Sequence, residues 1–504
     1  MNILLGRDDN NPQAELTLND AARALGSYII GTTGTGKTSF LKSLILQDIG
    51  AGQGVCVLDP HGDLIEDILL CVPPHRVKDV LLFNPADLEH PFGLNLFACN
   101  RDDPRERDRV TSTVLDTLYK LFSDSWGPRM EDLLRHSVQT LLYEPESTFL
   151  ELLLILTDPV KRGELRQRAC EQDQVLRHFW EQQFPESYWD DHTGAWKNPK
   201  AQTELVGSSL NKIGRFLVNP LIRHIIAQPH NTINFREAMD NHKVILINLS
   251  KGDIGPDNSS FLGSVLVNQL LLAALSRRNV PPKERQPFFL YCDEYQNFAT
   301  QSFPELQSEG RKYRIITNVA HQYRRQLDEQ NLGSTLNVAN LFVFRVSGVD
   351  ALEMARQFDN TPEAVPDRFE ALHGQVDDGL FARYRTLGTD EPLYTSIPGN
   401  PTPYSDVHLE MANLLTTLPQ YQAIIRILGE DNQLHQYRLN TQEFPCTENP
   451  AIAEAIKAQS RALAKSVKEV QDDIAHRMEG SVRVAPRAPN FTHAEEIDDE
   501  FDNK

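Results

Sequence analysis

A chain of 504 residues, 40% of them hydrophobic, is long enough for roughly two to four domains and apolar enough to bury sizeable cores. Its six cysteines are scattered, with no C-x-x-C pair, which excludes a zinc-ribbon pattern and fits a reducing cytosol rather than a disulfide framework. A formal charge of −20 argues against a surface coated in nucleic acid, because phosphate contacts need Lys and Arg, but it does not exclude a local basic channel.

Residues 27–31 form a short apolar run that reads as a buried strand. It leads into "GTTGTGKTSF" and then into a helix with Phe40, Leu41, Leu44 and Ile45 on one face, ending near Gly50. Val55–Leu58 and Asp79–Asn84 read as further strands, the first running into "DPHGDL". Strand, helix and strand in quick succession point to a parallel sheet covered on both faces. Residues 101–235 then read as helix almost throughout, without strand alternation, as expected of an inserted all-α domain.

Strand signals resume at Lys243–Asn248, Pro287–Cys292, Tyr313–Val319 and Leu341–Val346, with a helix over Phe261–Arg277. Residues 360–405, rich in Pro, Gly and Asp, read as an irregular insertion; strands over 422–428 and 434–440 follow. Asn449-Pro450 is a good helix start, and an apolar stripe from Ile452 to Met478, broken only at Gln459, predicts one long helix. The acidic end, residues 481–504, is expected to be disordered. The most apolar windows, 147–157 and 261–275, carry Glu151, Asn268 and Gln269. They fall short of the roughly 18–20 apolar residues of a membrane helix, so no membrane span is expected.

Gly31, Thr32, Thr33, Gly34, Thr35, Gly36, Lys37, Thr38 and Ser39 make a complete G-x-x-x-x-G-K-[ST] loop between a strand and a helix. Such a loop converges backbone N–H groups on phosphates at a helix N-terminus. Lys37 is the candidate for the β/γ-phosphates of ATP, and the Thr38 hydroxyl a Mg²⁺ ligand. The apolar run before Asp293-Glu294 supplies the acidic partner: Asp293 for Mg²⁺, Glu294 to polarise the attacking water. Lys37 and Asp293 are 256 positions apart, so the nucleotide domain is split in sequence. Gln322, ending the strand after the Asp-Glu strand, fits a γ-phosphate sensor. Arg311, 17 residues after Glu294, reads from spacing alone as a solvated helix arginine.

Taken together, "YIIGTTGTGKTSFLKSLILQDI", "VCVLDPHGDL", "SDSWGPRMEDLLRHSV", "SSLNKIGRFLVNPLIRHII", "VILINLSKGDIGPDNSSFLGSVLVNQLLLAALSRR", the Asp293-Glu294 pair, Arg311, Gln322 and "LPQYQAIIRIL" resemble the HerA/FtsK superfamily of P-loop motors. Within it they resemble the TraG/TraD-like coupling proteins of type IV secretion, in a form without N-terminal membrane helices. The resemblance implies an α/β, RecA-like P-loop NTPase with a mainly parallel sheet and an inserted all-α domain.

On that reading residues 1–100 and 236–448 are the two parts of the ATPase domain and 101–235 the insert; 449–480 are the C-terminal helix and 481–504 the tail. It further implies a homohexameric ring threading DNA, single- or double-stranded, with Arg311 as an arginine finger and Gln322 as sensor. Relaxosome or secretion-channel proteins would be partners, and the ring would be cytoplasmic or recruited to the membrane by a partner. Arg314 stands where relatives often have glycine. Asp59, His61 and Asp63 read equally as site residues or as a Pro turn with an Asp cap. Trp126 and Arg129 read as a packing anchor and a helix-start charge. The competing function is a nucleotide-gated platform that recruits a partner without pumping DNA.

Overall fold

The computed structural model describes residues 2–185, 188–190, 195–197, 199–358, 368–371, 394–397 and 404–479. The tail over 481–504 lies outside these residues. So does most of the irregular insertion at 360–405.

In chain order the strands are β1 (Ile3–Asp8), β2 (Glu15–Leu18), β3 (Ser27–Ile30), β4 (Gly54–Asp59), β5 (Val80–Phe83), β6 (Tyr188–Asp190), β7 (Ala195–Lys197) and β8 (Val244–Asn248). They continue as β9 (Phe288–Cys292), β10 (Ile315–His321), β11 (Asn340–Val343), β12 (Arg368–Ala371), β13 (Tyr394–Ile397), β14 (Gln422–Leu428) and β15 (Leu434–Thr441). Eleven of them form one sheet in the order β2-β1-β15-β14-β11-β3-β10-β9-β4-β8-β5. From β11 to β5 every pairing is parallel, and β14, β15, β1 and β2 extend the sheet as an antiparallel meander. Strands β3, β4, β8, β9 and β10 are buried at every residue. Burial without alternation is what a parallel sheet with helices on both faces imposes, and it is why these strands read as unbroken apolar runs.

The described residues divide into two compact units: residues 1–84 with 234–460, and 85–233 with 461–504. The first holds the eleven-stranded sheet. On one face of it the helix Lys37–Gly50 buries Phe40, Leu41, Leu44, Ile45 and Ile49 with Phe342, Phe344 and Ile425 in a single core. Gln47 fastens this helix to β1: its amide donates to Leu4 O at 2.9 Å and its carbonyl accepts from Leu4 N at 2.8 Å. The β1–β2 hairpin was not expected. Its register shifts between Leu4 and Gly6, and that irregularity breaks the alternation a strand prediction relies on.

Pro256–Ser276 is long and apolar enough to cross a membrane, but it lies mostly buried inside the protein. Gly263 on this helix sits so close to the Phe298 ring that a Cβ would come within 2.2 Å of its Cδ1.

The second unit is built chiefly of helices, among them Pro104–Phe122, Pro128–Leu141, Phe149–Thr157, Pro159–Gln172, Pro199–Val218 and Pro220–Ile226. It is not purely α: β6 and β7 pair as a small antiparallel ribbon inside the stretch read from the sequence as all helix. The single helix expected over 449–480 is two helices, Pro450–Arg461 and Val467–Met478, falling in different units. Ser466 and Glu469 form a reciprocal capping box at the start of the second, which nucleates a new N-terminus inside the apolar stripe. Leu463 and Met478, counted in that stripe, are exposed. Val470 and Ile474 pack with Leu150, Leu154 and Ala227, and Arg477 pairs with Glu151 at 3.1 Å.

One pair of the scattered cysteines is joined. Cys71, at the end of helix Asp63–Cys71, is bonded to Cys446 beyond β15, with Cα atoms 5.6 Å apart, while Cys56, Cys99, Cys170 and Cys292 are free. The two partners are 375 residues apart, so no local spacing announces the pair.

Candidate functional site: a P-loop at the carboxyl edge of the parallel strands

Lys37, Thr38, Asp293, Glu294 and Gln322 gather where β3, β9 and β10 end, and Arg311 does not. Parallel sheets bind ligands in the crevice beyond the carboxyl ends of their strands.

The loop after β3 is held by its neighbours' backbones. Gly31 N donates to His321 O at 3.3 Å, at the end of β10, and Thr32 N donates to Arg345 O at 2.8 Å, beyond β11. Inside the loop the buried Thr35 hydroxyl donates to Thr32 O at 2.8 Å. Thr33 and Gly34 are exposed at its tip. Gly34 (φ +75°) and Gly36 (φ +103°) both take left-handed backbone conformations that favour glycine. Gly36 caps the helix Lys37–Gly50 without a side-chain hydrogen bond, and the first turn, which includes Thr38 and Ser39, carries no acidic residue. The orphan N–H groups of that turn are therefore left for an anion.

Lys37 is buried, and its Nζ donates to Thr32 O at 3.1 Å. Burial lowers its pKa, against the opposing pull of Glu294 and Asp293. The Thr38 hydroxyl donates to Asp293 Oδ2 at 3.2 Å. Asp293 is buried and its pKa is raised to about 6, first by burial and then by Glu294 and Asp59. Carboxylates crowded together with one lysine leave negative charge that a divalent cation would offset, so the residues fit a Mg²⁺–triphosphate. Among the described residues there is no cluster of three His, Cys, Asp or Glu that could hold a metal by itself.

Adjacent residues on an extended strand face opposite sides, yet Asp293 and Glu294 both act on Lys37. The backbone explains it. Glu294 has φ +45° and ψ +51°, a left-handed turn that breaks the alternation. Its own N–H donates to Asp293 Oδ1 at 2.9 Å, and its carbonyl accepts from the Asn297 side chain at 2.7 Å. Gln322 Nε2 donates to Glu294 Oε1 and Gln296 Nε2 to Oε2, each at 2.7 Å.

Behind the loop lies a buried polar network. Arg324 donates to the Tyr28 hydroxyl at 3.2 Å and to the Thr335 hydroxyl at 3.1 Å, and Tyr28 Oη lies 2.7 Å from His321 Nε2. Burial and the Arg324 charge lower the His321 pKa to about 3.

Arg311 stands apart on the short 3₁₀ turn Gly310–Tyr313 that precedes β10. It is exposed, and its guanidinium has no hydrogen bond or ion pair among the described residues. Asp59 accepts from His61 N at 2.8 Å and Ile65 N at 3.2 Å, so it caps the following helix; His61 and Asp63 are exposed. The Trp126 indole donates to Glu131 at 2.9 Å and packs edge-on to Tyr119, which is the packing role, and Arg129 is exposed. Sequence reading missed Gln296 and the Tyr28–His321–Arg324 network. Gln296, two residues beyond Glu294, was there to be read; the network joins distant segments and was not.

Residues 13–170 match the family described as the type IV secretion-system coupling protein DNA-binding domain. No curated protein matches the chain. Among solved structures, the unbound monoclinic form of the bacterial conjugative coupling protein TrwBΔN70 is similar at 15% identity over 86% of this chain and 89% of that one, with a TM-score of 0.51. Plasmid coupling protein TrwB in complex with ADP and Mg²⁺ is similar at 16% identity over 86% and 89%, with a TM-score of 0.51. VirB4 of Thermoanaerobacter pseudethanolicus is similar at 11% identity over 88% and 97%, also with a TM-score of 0.51. At these identities the structural likeness speaks for the fold, which is the RecA-like P-loop fold with its mainly parallel sheet. The family match covers residues 13–170, and over the rest of its length the chain shares with TrwB and VirB4 the RecA-like P-loop fold, as the resemblance to the TraG/TraD-like coupling proteins implies.

Proposed function

We propose that the protein is an ATP-driven DNA translocase of coupling-protein type, working as a cytoplasmic ring, a hexamer by resemblance, in conjugative or mobile-element DNA transfer. The observation that carries this reading is the convergence of Lys37, Thr38, Asp293, Glu294 and Gln322 on one edge of the sheet, with Arg311 exposed and unpaired among the described residues. The DNA-binding description of the matching family supports it, as do the TrwB structures with ADP and Mg²⁺ and with an ATP analogue.

On this reading the P-loop amides and Lys37 hold the β- and γ-phosphates of ATP, and Thr38 with Asp293 holds Mg²⁺. Bound there, the cation would neutralise charge on the phosphates during transfer. Glu294, fixed by two amide donors, orients and deprotonates the attacking water. Gln322 couples the γ-phosphate position to that carboxylate. Arg311 of one subunit stabilises the transition state at the neighbour's nucleotide.

DNA should stimulate ATP hydrolysis in proportion to the length of the track offered. A purified ring whose ATPase rate ignores every DNA length and strandedness would sink the translocase reading. The acidic balance of −20 favours the competing reading of a nucleotide-gated recruitment platform. Displacement of a triplex-forming strand from duplex DNA separates the two, since a platform leaves the third strand in place.

A further inference from the structure

Tyr421 stands just before β14, on the opposite side of the P-loop from the carboxylates. In the sheet order β14-β11-β3-β10-β9, the strand bearing the P-loop lies two places from β14 on one side and two places from the Asp293-Glu294 strand on the other. A triphosphate whose γ end faces Glu294 must therefore lead its nucleoside toward β14.

What waits there is an aromatic ring laid against the loop. A Cβ built on Gly36 would come within 2.7 Å of Tyr421 Cδ1 and 3.3 Å of Cε1, so the ring lies directly over the glycine that begins the helix. Tyr421 N donates to Thr35 O at 2.9 Å, and its carbonyl accepts from Thr441 N at 2.9 Å and from the Thr441 hydroxyl at 3.0 Å. This clamp holds it at φ +64°, a left-handed conformation that is a genuine outlier for a bulky residue. Strained residues of this kind persist where surrounding structure over-determines them, and they cluster at ligand sites. The side chain is 42% exposed, so the ring is not spent on filling a core.

We propose that Tyr421 is the nucleobase platform of this site: the base of the bound nucleoside triphosphate stacks on the exposed part of the ring while the P-loop holds the phosphates. The inference rests on the reading of the P-loop as an ATP site. Stacking engages the π-face that every base has, so the platform serves the base without reading its edge. It is a binding and positioning role, separate from the hydrolytic residues.

The test is equilibrium binding of Mg-ATP and of inorganic triphosphate to the full-length chain, wild type against Tyr421→Gly and Tyr421→Phe. Glycine relieves the left-handed strain, so loss of fold does not confound the comparison, and a thermal melt confirms it. Tyr421→Gly should weaken ATP binding roughly tenfold, leave triphosphate binding unchanged, and be rescued by Tyr421→Phe. Equal ATP affinity in wild type and Tyr421→Gly overturns the platform. So does a parallel loss of ATP and triphosphate binding, which would make the ring a support for the loop. A wild-type protein that binds neither ligand overturns the ATP-site reading itself and takes the platform with it.

Discussion

The side-chain amide of Gln322 donates a 2.7 Å hydrogen bond to Oε1 of Glu294, joining the ends of the neighbouring parallel strands β10 and β9. Gln296 holds the other oxygen, so the carboxylate is fixed in one orientation. If Glu294 is the general base, Glu294→Gln should lower kcat by roughly 10²–10⁴-fold while Mg-ATP affinity stays within a few-fold. Gln322→Ala removes only the positioning contact and should lower kcat by on the order of 10²-fold, again with little change in affinity. Steady-state ATPase rates paired with equilibrium nucleotide binding read both effects. Wild-type turnover in either variant would remove that residue from the reaction.

His321 carries a pH prediction. Its folded-state pKa of about 3 lies below the ordinary 6.5, so between these values the unfolded chain binds a proton that the folded chain refuses. Stability then rises with pH across this window and is lost as pH falls below about 6.5. Burial is the first cause, and the Arg324 charge the second: Nε2 faces the Tyr28 hydroxyl, which already accepts from Arg324, so a protonated ring would set two cations around one phenol. From pH 6.5 to pH 5 the loss should be roughly 1–2 kcal/mol. Asp48, raised to about 6 by burial, has the opposite sign: its neutral form is favoured in the fold, so its contribution falls as pH rises from about 4 to 6. The difference between wild type and His321→Gln therefore isolates the histidine. Denaturant midpoints measured at pH 7 and pH 5 should converge for the two proteins as the pH falls; a constant gap would refute the assignment.

What the sequence made legible was contiguous. The P-loop, the Asp293-Glu294 strand end and Gln322 each sit inside one segment whose apolar run reports burial on both faces, and the structure brings them together. Seven strands of the parallel sheet came through because nothing interrupts their runs. The β1–β2 hairpin was hidden by the irregularity at Gly6. The break after Arg461 was hidden because the apolar stripe continues past it, although Ser466 and Glu469 spelled the capping box. Cys71–Cys446 and Tyr421 on Gly36 are long-range contacts between residues with no local signature. Non-local geometry, rather than residue chemistry, is what a single sequence withholds.

Arg314 closes the 3₁₀ turn before β10 at φ +60°, exposed, with its N–H donating to Arg311 O at 3.0 Å and its carbonyl accepting from Phe288 N at 2.9 Å. The turn requires a left-handed residue, a conformation that glycine adopts without strain. Arginine in that conformation costs about 1 kcal/mol that glycine would not. Arg314→Gly should therefore raise stability by roughly 0.5–1 kcal/mol, offset in part by glycine's greater freedom in the unfolded chain. A melting temperature unchanged or lowered would show that the arginine side chain makes a compensating contribution.

Ser466 accounts for the two-helix ending. Its hydroxyl accepts from Glu469 N at 3.3 Å, and Glu469 Oε2 accepts from Ser466 N and from the Ser466 hydroxyl, each at 2.8 Å. Ser466→Ala should cost about 1 kcal/mol. The helix it starts also carries Val470, Ile474 and Arg477 against the helical unit, so the loss should show as faster amide exchange over 467–478. Exchange there equal to wild type would mean that packing alone sets the helix start.

Arg311, exposed on its short turn, separates an intersubunit engine from a self-contained one. If it completes a neighbour's site, Arg311→Ala should bind Mg-ATP normally and lose turnover by about 10³-fold or more. Lys37→Ala should lose nucleotide binding yet still present an intact arginine. Neither variant alone should hydrolyse ATP. Mixed in equal amounts and reassembled, they should recover about a quarter of wild-type activity, because random head-to-tail packing sets an intact loop against an intact arginine at one interface in four. An arginine acting within its own subunit predicts no recovery at any mixing ratio, since every chain in the mixture then carries a broken site. The mixing curve therefore assigns the residue: a maximum at equal proportions places it at the subunit boundary, and a flat line removes it from the neighbour's chemistry.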